Sequence, residues 1–283
     1  MNVFTRLFGF SGQRREASGA APPTPIPADA LEEAAPKLDK SRSSLGRIET
    51  GATKADVHLI RSMMDIYDQY DPDLIDLVRE ANRPGWWTKY NIDEGGYIST
   101  ETEASTVLEF SMVNLPGLLQ TEGYMRALFS ARHVRRSPDQ LSNDIAVRLH
   151  RQRRLTDEEF PLQLVAIIDE AALRRKVGGA KVMRDQLQHL AIVSELSTVS
   201  VQVLPNDAGA HPSMDGAFVI LTFPDAQDPP VLHVAYLNGS LHIENPEEVA
   251  AARLVFDRLR SEALSPSDSV ALIERVADEL QGD

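Results

Sequence analysis

The sequence predicts an α+β protein: a small all-α helical module followed by a larger mixed α+β domain. Three observations lead there. Between residues 28 and 83 the apolar residues recur at helical spacing. From residue 105 onward, short β-branched runs such as STVLEFSMV, LQLVAII and TVSVQVL alternate with helical stretches. Proline-rich and glycine-containing segments punctuate the two regimes.

Residues 1–27 read as a poorly ordered arm, basic at Arg6, Arg14 and Arg15 and extended through Pro22, Pro23, Pro25 and Pro27. Residues 28–83 form the helical module. Asp29 is placed to cap DALEEAAPKL, with Glu32 three residues on. Ser41 caps the next helix, whose buried face carries Leu45 and Ile48 and whose end is Gly51. Val57, Ile60, Met64 and Tyr67 then share one stripe, and Pro72 opens a helix that runs to Ala81. Residues 84–99, with GWWTKYNI and Gly95–Gly96, read as an aromatic and glycine hinge.

Residues 100–283 carry the larger domain. Strands are expected at 105–113, 162–168, 198–204, 216–223, 231–236 and 241–244, the last two joined at Asn238–Gly239. Helices are expected at 121–130, 137–154, 169–176, 180–195, 246–262 and 267–281. The segment 132–154 is rich in arginine and reads as a solvated helix face paired with Asp157, Glu158 and Glu159.

Composition narrows the function. The chain has 283 residues and no cysteine, which excludes disulfides, thiolate catalysis and cysteine-ligated metals. No apolar run reaches membrane-spanning length, and MNVFTRLFGF is too interrupted for a secretory signal, so a cytoplasmic protein is expected. The net charge of −13 argues against a large nucleic-acid footprint, although an acidic protein can carry a small reader. No phosphate-cradling glycine motif, nucleophile elbow or metal-ligand spacing occurs, so no cofactor and no metal are expected.

Several stretches resemble one family in order and spacing: SRSSLGRIETG (41–51), GWW (85–87), LPGLLQTEGYMRAL (115–128), RLHRQRRL (148–155), IDEAALRRKVGG (168–179), VMRDQLQHL (182–190), VSVQVLP (199–205) and LRSEALSPSDS (259–269). Together they resemble the actinobacterial XRE-type helix-turn-helix regulators that carry a DUF5753 domain, some of them antitoxin-like. The resemblance implies a DNA-binding transcriptional regulator, homodimeric, whose larger domain senses a small molecule or a small protein partner. It departs from the family pattern in the helical module. The usual first helix is replaced by breaker sequence. Pro36 deletes a helical hydrogen bond at a cost of roughly 3 kcal/mol, and Asp39 stands where glycine usually supplies a left-handed turn.

Candidate residues follow from both readings. Arg42, Ser43 and Arg47 lie off the Leu45/Ile48 face and are placed to contact bases, with Ser41 and Ser44 on phosphate. Gly117 opens a helix after a strand, where free N–H groups suit an anion. Gln120 and Tyr124 project from the same helix, and Arg148 and Gln152 sit one turn apart. With Trp86 and Trp87 at the hinge, these are the candidate ligand contacts. An alternative function is a regulator-derived metabolite-binding protein or a cofactor-free enzyme, such as an isomerase or cyclase. Its acid–base candidates would be Glu109, Tyr124, Asp169, Glu170, His211 and Tyr236.

Overall fold

The computed structural model describes residues 28–49, 55–67, 70–92, 96–131, 136–237 and 239–280. The expected arm at 1–27, and Gly51, Gly95, Arg132, Arg135 and Asn238, lie outside the described residues. The chain divides into two compact units, one ending at Pro84 and the other starting at Gly85. Among the described residues no helix is long and apolar enough to cross a membrane.

The first unit contains α1 (Ala28–Lys37), α2 (Arg42–Glu49), α3 (Val57–Tyr67) and α4 (Pro72–Ala81). Its core holds the expected Leu45, Ile48, Ile60 and Met64 together with Leu59, Met63, Leu74, Ile75 and Val78, while Val57 is only partly buried. Asp56 accepts from the Leu59 backbone N–H and starts α3, and the Asn82 side chain donates to the Ala55 and Val78 carbonyls. The helix α1 begins at Ala28, one residue before the expected cap.

Pro36 lies in the last turn of α1, one residue before its end. The Lys40 N–H returns to the Ala35 carbonyl at 3.0 Å and the Asp39 N–H to Pro36 at 3.3 Å. That is the bond pattern of a left-handed helix end, and it requires Asp39 at φ 50°. An aspartate there carries a steric cost that glycine lacks. Asp39→Gly is expected to stabilise the helical unit by about 1 kcal/mol, read as a raised thermal midpoint; an unchanged or lowered midpoint would argue against strain at this turn.

The second unit opens with a short 3-10 helix at Trp86–Tyr90 and then α5 (Tyr97–Glu103). Next come β1 (Thr106–Ser111), α6 (Glu122–Ser130), α7 (Pro138–Gln152), β2 (Gln163–Asp169), α8 (Glu170–Arg174) and α9 (Ala180–Val193). The chain continues through β3 (Val199–Leu204), β4 (Phe218–Thr222), β5 (Val231–Tyr236), β6 (Gly239–Ile243), α10 (Pro246–Glu262) and α11 (Pro266–Glu279). The strands form one mixed sheet in the order β3-β2-β1-β4-β5-β6. The first three are parallel, joined by helical crossovers, and β4 to β6 add antiparallel.

Strand alternation divides the core in two. One face presents Val107, Leu164, Ala166, Ile168, Val201 and Val203 to α9 and α11. The other presents Leu108, Phe110, Ile167, Phe218 and Ile220 to Val249, Phe256 and Leu259 of α10.

Candidate functional site

Alternation along β1 puts Glu109 on the same face as Val107, where a charged side chain is out of place in a hydrophobic register. The register then aligns Glu109 with Val219 on β4, His233 on β5 and His242 on β6. One row across the sheet therefore carries a carboxyl, an apolar floor and two imidazoles. Helices α5 and α7 bring polar side chains over that row.

Arg151 of α7 binds Glu101 of α5 in a two-pronged pair, Nε to Oε1 and Nη2 to Oε2, both at 2.6 Å. The two side chains are only 11% and 3% exposed, so their mutual neutralisation is what makes burial tolerable. Arg154 donates to the carbonyls of Glu101, Thr102 and Ala104 and closes the C-terminal end of α5. The arginine-rich helix is thus not the solvated face expected from charge content. Its Arg151 points into the domain, and Arg136 pairs with Asp144.

The Tyr97 ring lies under the Arg151 guanidinium at 5.2 Å and against His233 at 4.4 Å. His233 in turn packs 4.8 Å from His242, and its Nδ1 is buried with no hydrogen-bond partner. Burial, then His242 and Arg151, push the His233 imidazole down to about 4, so it is neutral at physiological pH. Burial raises the Tyr97 phenol well above its ordinary value, with Glu101 adding to the effect.

Glu109 receives the Ser111 hydroxyl at 2.9 Å and, among the described residues, has no salt-bridge partner. Burial lifts its carboxyl to about 7, and Glu101 reinforces this; Ser111, Arg151 and Arg148 pull the other way. Tyr97, Glu109 and Arg151 are surrounded by protein, yet each keeps an edge in contact with solvent. They line a recess. Beside it an open depression of about 240 Å³ is lined by Gly96, Thr100, Val231, His242 and Glu244. The imidazoles have no third acidic or histidine neighbour suited to a metal among the described residues.

The family model for DUF5753, a domain of unknown function, matches residues 95–275. The chain belongs to the DUF5753 family. Neither the curated proteins nor the solved structures contain a match to it. Every residue of the recess lies within the matched segment, so the recess belongs to the DUF5753 domain itself.

The ligand and acid–base candidates named from the sequence fall in five places in the second unit. Gly117, Gln120, Tyr124, Arg148 and Gln152 meet in a hydrogen-bonded belt beside the recess. Arg148 Nη1 donates to Gln120 Oε1 at 2.6 Å, and Gln120 donates to the Leu115 carbonyl. Gln152 donates to the Gly117 and Gln120 carbonyls, while the Tyr124 hydroxyl accepts from the Leu115 N–H. Gln186, not anticipated, completes the belt by accepting from the Thr121 N–H and donating to Leu119. The backbone N–H groups of Leu115, Leu119 and Thr121 are therefore bound within the protein.

Trp86 stacks on His150 at 4.1 Å and donates to Thr102, and Trp87 folds back over Gly85. Asp169, at the end of β2, caps α8 and lies 3.7 Å from His211, which packs on Phe110 of the opposite sheet face. Glu170 binds Arg174 and the Asn206 N–H, and Arg174 continues to Glu279 of α11. Burial works against the Glu170 carboxylate, but Asn206 and Arg174 hold it below the usual range. Tyr236 is exposed at the β5–β6 hairpin. Of the six acid–base candidates, Glu109 alone lies in the recess. Tyr97, Glu101, Arg151 and His233 join it through tertiary packing.

Proposed function

We propose that this protein is a ligand-responsive DNA-binding regulator, with the DUF5753 domain as the receptor and the helical unit as the reader. The observation that carries the reading is the α1–turn–α2 geometry. Asp39 in the left-handed turn sets α2 with Leu45 and Ile48 inward and Ser41, Arg42, Ser43 and Arg47 exposed. That is the layout in which a second helix offers its outer face to a DNA groove. Ser41 also accepts from the Ser44 N–H and caps α2. A ligand in the recess alters DNA affinity only to the extent that it binds two states of the protein unequally.

The test is a gel shift with the DNA upstream of the protein's own gene. A specific complex at micromolar protein, weakened by added salt, is expected. Arg42→Ala is expected to weaken it about tenfold, the value of one well-placed base contact. Absence of any salt-sensitive specific complex sinks the regulator reading.

A second reading is favoured by two observations. Between residues 28 and 84 there are eight basic and twelve acidic residues, and Arg42 is held by Glu32 of α1 at 2.6 Å. Both weaken the phosphate attraction that DNA binding relies on. On this reading the protein retains only the recess, as a metabolite-binding protein or a cofactor-free enzyme. Glu109, whose carboxyl titrates near neutrality, would be its acid–base group. The same gel shift separates the two.

A further inference from the structure

We infer that the recess over Val219 binds a small protonated amine, its ammonium group held by the Glu109 carboxylate and its carbon frame against Val219 and the Tyr97 ring. The inference rests on the reading of the recess as a ligand site and names the chemistry of that ligand.

Charge complementarity is the first argument. Glu101 and Arg151 neutralise each other through two bonds. Among the described residues Glu109 is left with a single neutral donor, the Ser111 hydroxyl. A carboxylate surrounded by protein favours a countercharge, and among the described residues no salt bridge supplies it. The groups that face Glu109 are Tyr97 and Glu101 from α5 and Arg148 and Arg151 from α7. Arg148 is engaged by Gln120 and lies over the Phe129 ring. With Glu101 paired to Arg151, a carboxylate ligand would meet the unpaired Glu109 at this wall, whereas an ammonium meets its partner.

The second argument is the wall itself. Tyr97 and His233 are adjoining rings, and aromatic faces attract cations. The buried Nδ1 of His233 lacks a donor, and a neutral imidazole nitrogen accepts an N–H. Val219 lies between Glu109 and His233 in the sheet register and provides an apolar floor.

Binding displaces a proton when Glu109 is protonated: the carboxylic acid releases H⁺ as the ammonium takes its place. Amine affinity is therefore expected to rise with pH by about tenfold per unit below about 7, and to level off above. An anion or a hydroxyl ligand that needs the protonated acid would show the opposite slope.

The test is calorimetric titration of the full chain with benzylamine, benzyl alcohol and benzoate across this pH range, in buffers of different ionisation enthalpy. Benzylamine is expected to bind best, with proton release at low pH. Glu109→Gln, an isosteric change, is expected to lose at least tenfold in benzylamine affinity together with the pH dependence. Tyr97→Leu is expected to weaken binding severalfold and keep the pH slope. Benzoate or benzyl alcohol binding as well as benzylamine would overturn the amine and leave the recess as a ligand site. Unchanged benzylamine binding in Glu109→Gln would likewise overturn the assignment. No binding of any of the three at millimolar concentration would overturn both the amine and the recess reading.

Discussion

Arg151→Met is expected to lower the stability of the DUF5753 domain by about 3–5 kcal/mol, because it leaves the Glu101 carboxylate buried without its partner. The substituted side chain keeps most of the packing volume, so the loss reports charge rather than a cavity. Glu101 also holds α5, whose C-terminal carbonyls depend on Arg154 from the same region of the chain. Loss of the pair therefore loosens the roof of the recess as well. The double variant with Glu101→Gln is expected to recover most of the stability, since no uncompensated charge remains. Both tryptophans of the chain lie in the second unit, so tryptophan fluorescence during urea unfolding follows this domain alone. A single-variant loss below about 1 kcal/mol would mean that the pair behaves as a solvated surface contact.

Glu109→Gln is expected to make the domain more stable at pH 8 and to leave it little changed at pH 4. The carboxyl is held near 7 in the folded chain, against an ordinary value of 4.5. The folded state thus binds this proton more tightly than the unfolded state. Its stabilisation is complete below about pH 4.5 and is lost as the pH rises through about 7, a difference on the order of 3 kcal/mol. Above that range the wild-type domain retains the full cost of an ionised, enclosed carboxylate, which glutamine avoids. Urea midpoints of both proteins measured from pH 4 to pH 8 check this. Parallel curves would show that Glu109 is solvated as well in the folded chain as in the unfolded one. Diverging curves would mean that the site exchanges stability at neutral pH for a charge available to a ligand, the trade common at functional sites.

Much of the architecture was legible because local signals and burial agree. The six strands form where β-branched runs were read, but the face that Glu109 occupies on β1 was not read from them. The left-handed turn at Asp39 was legible only through the family resemblance, in which glycine usually stands at that place. Helix α5 was not. The stretch YISTETE has no apolar stripe and follows a glycine pair, so local preference favours a connection. It becomes a helix because Arg151 and Arg154, some 50 positions later, bind its side chain and its terminal carbonyls. The arginine-rich run was misread for the same reason. Charge runs usually face water, and only the partner's position shows that Arg151 turns inward.

By itself the sequence determined the α+β class, the order of the strands and of most helices, and part of the core stripes. These depend on periodicities of two and 3.6 residues, which act over a few neighbours. The tertiary structure alone decided which polar groups meet. Glu109 and His233 are separated by 124 positions, and Glu101 and Arg151 by 50, yet sheet register and helix packing set them around one recess. The enclosure lifts the carboxyl toward neutrality and leaves an imidazole nitrogen unbonded. Neither effect is a property of any segment of the chain, because both arise from protein brought in from elsewhere to exclude water.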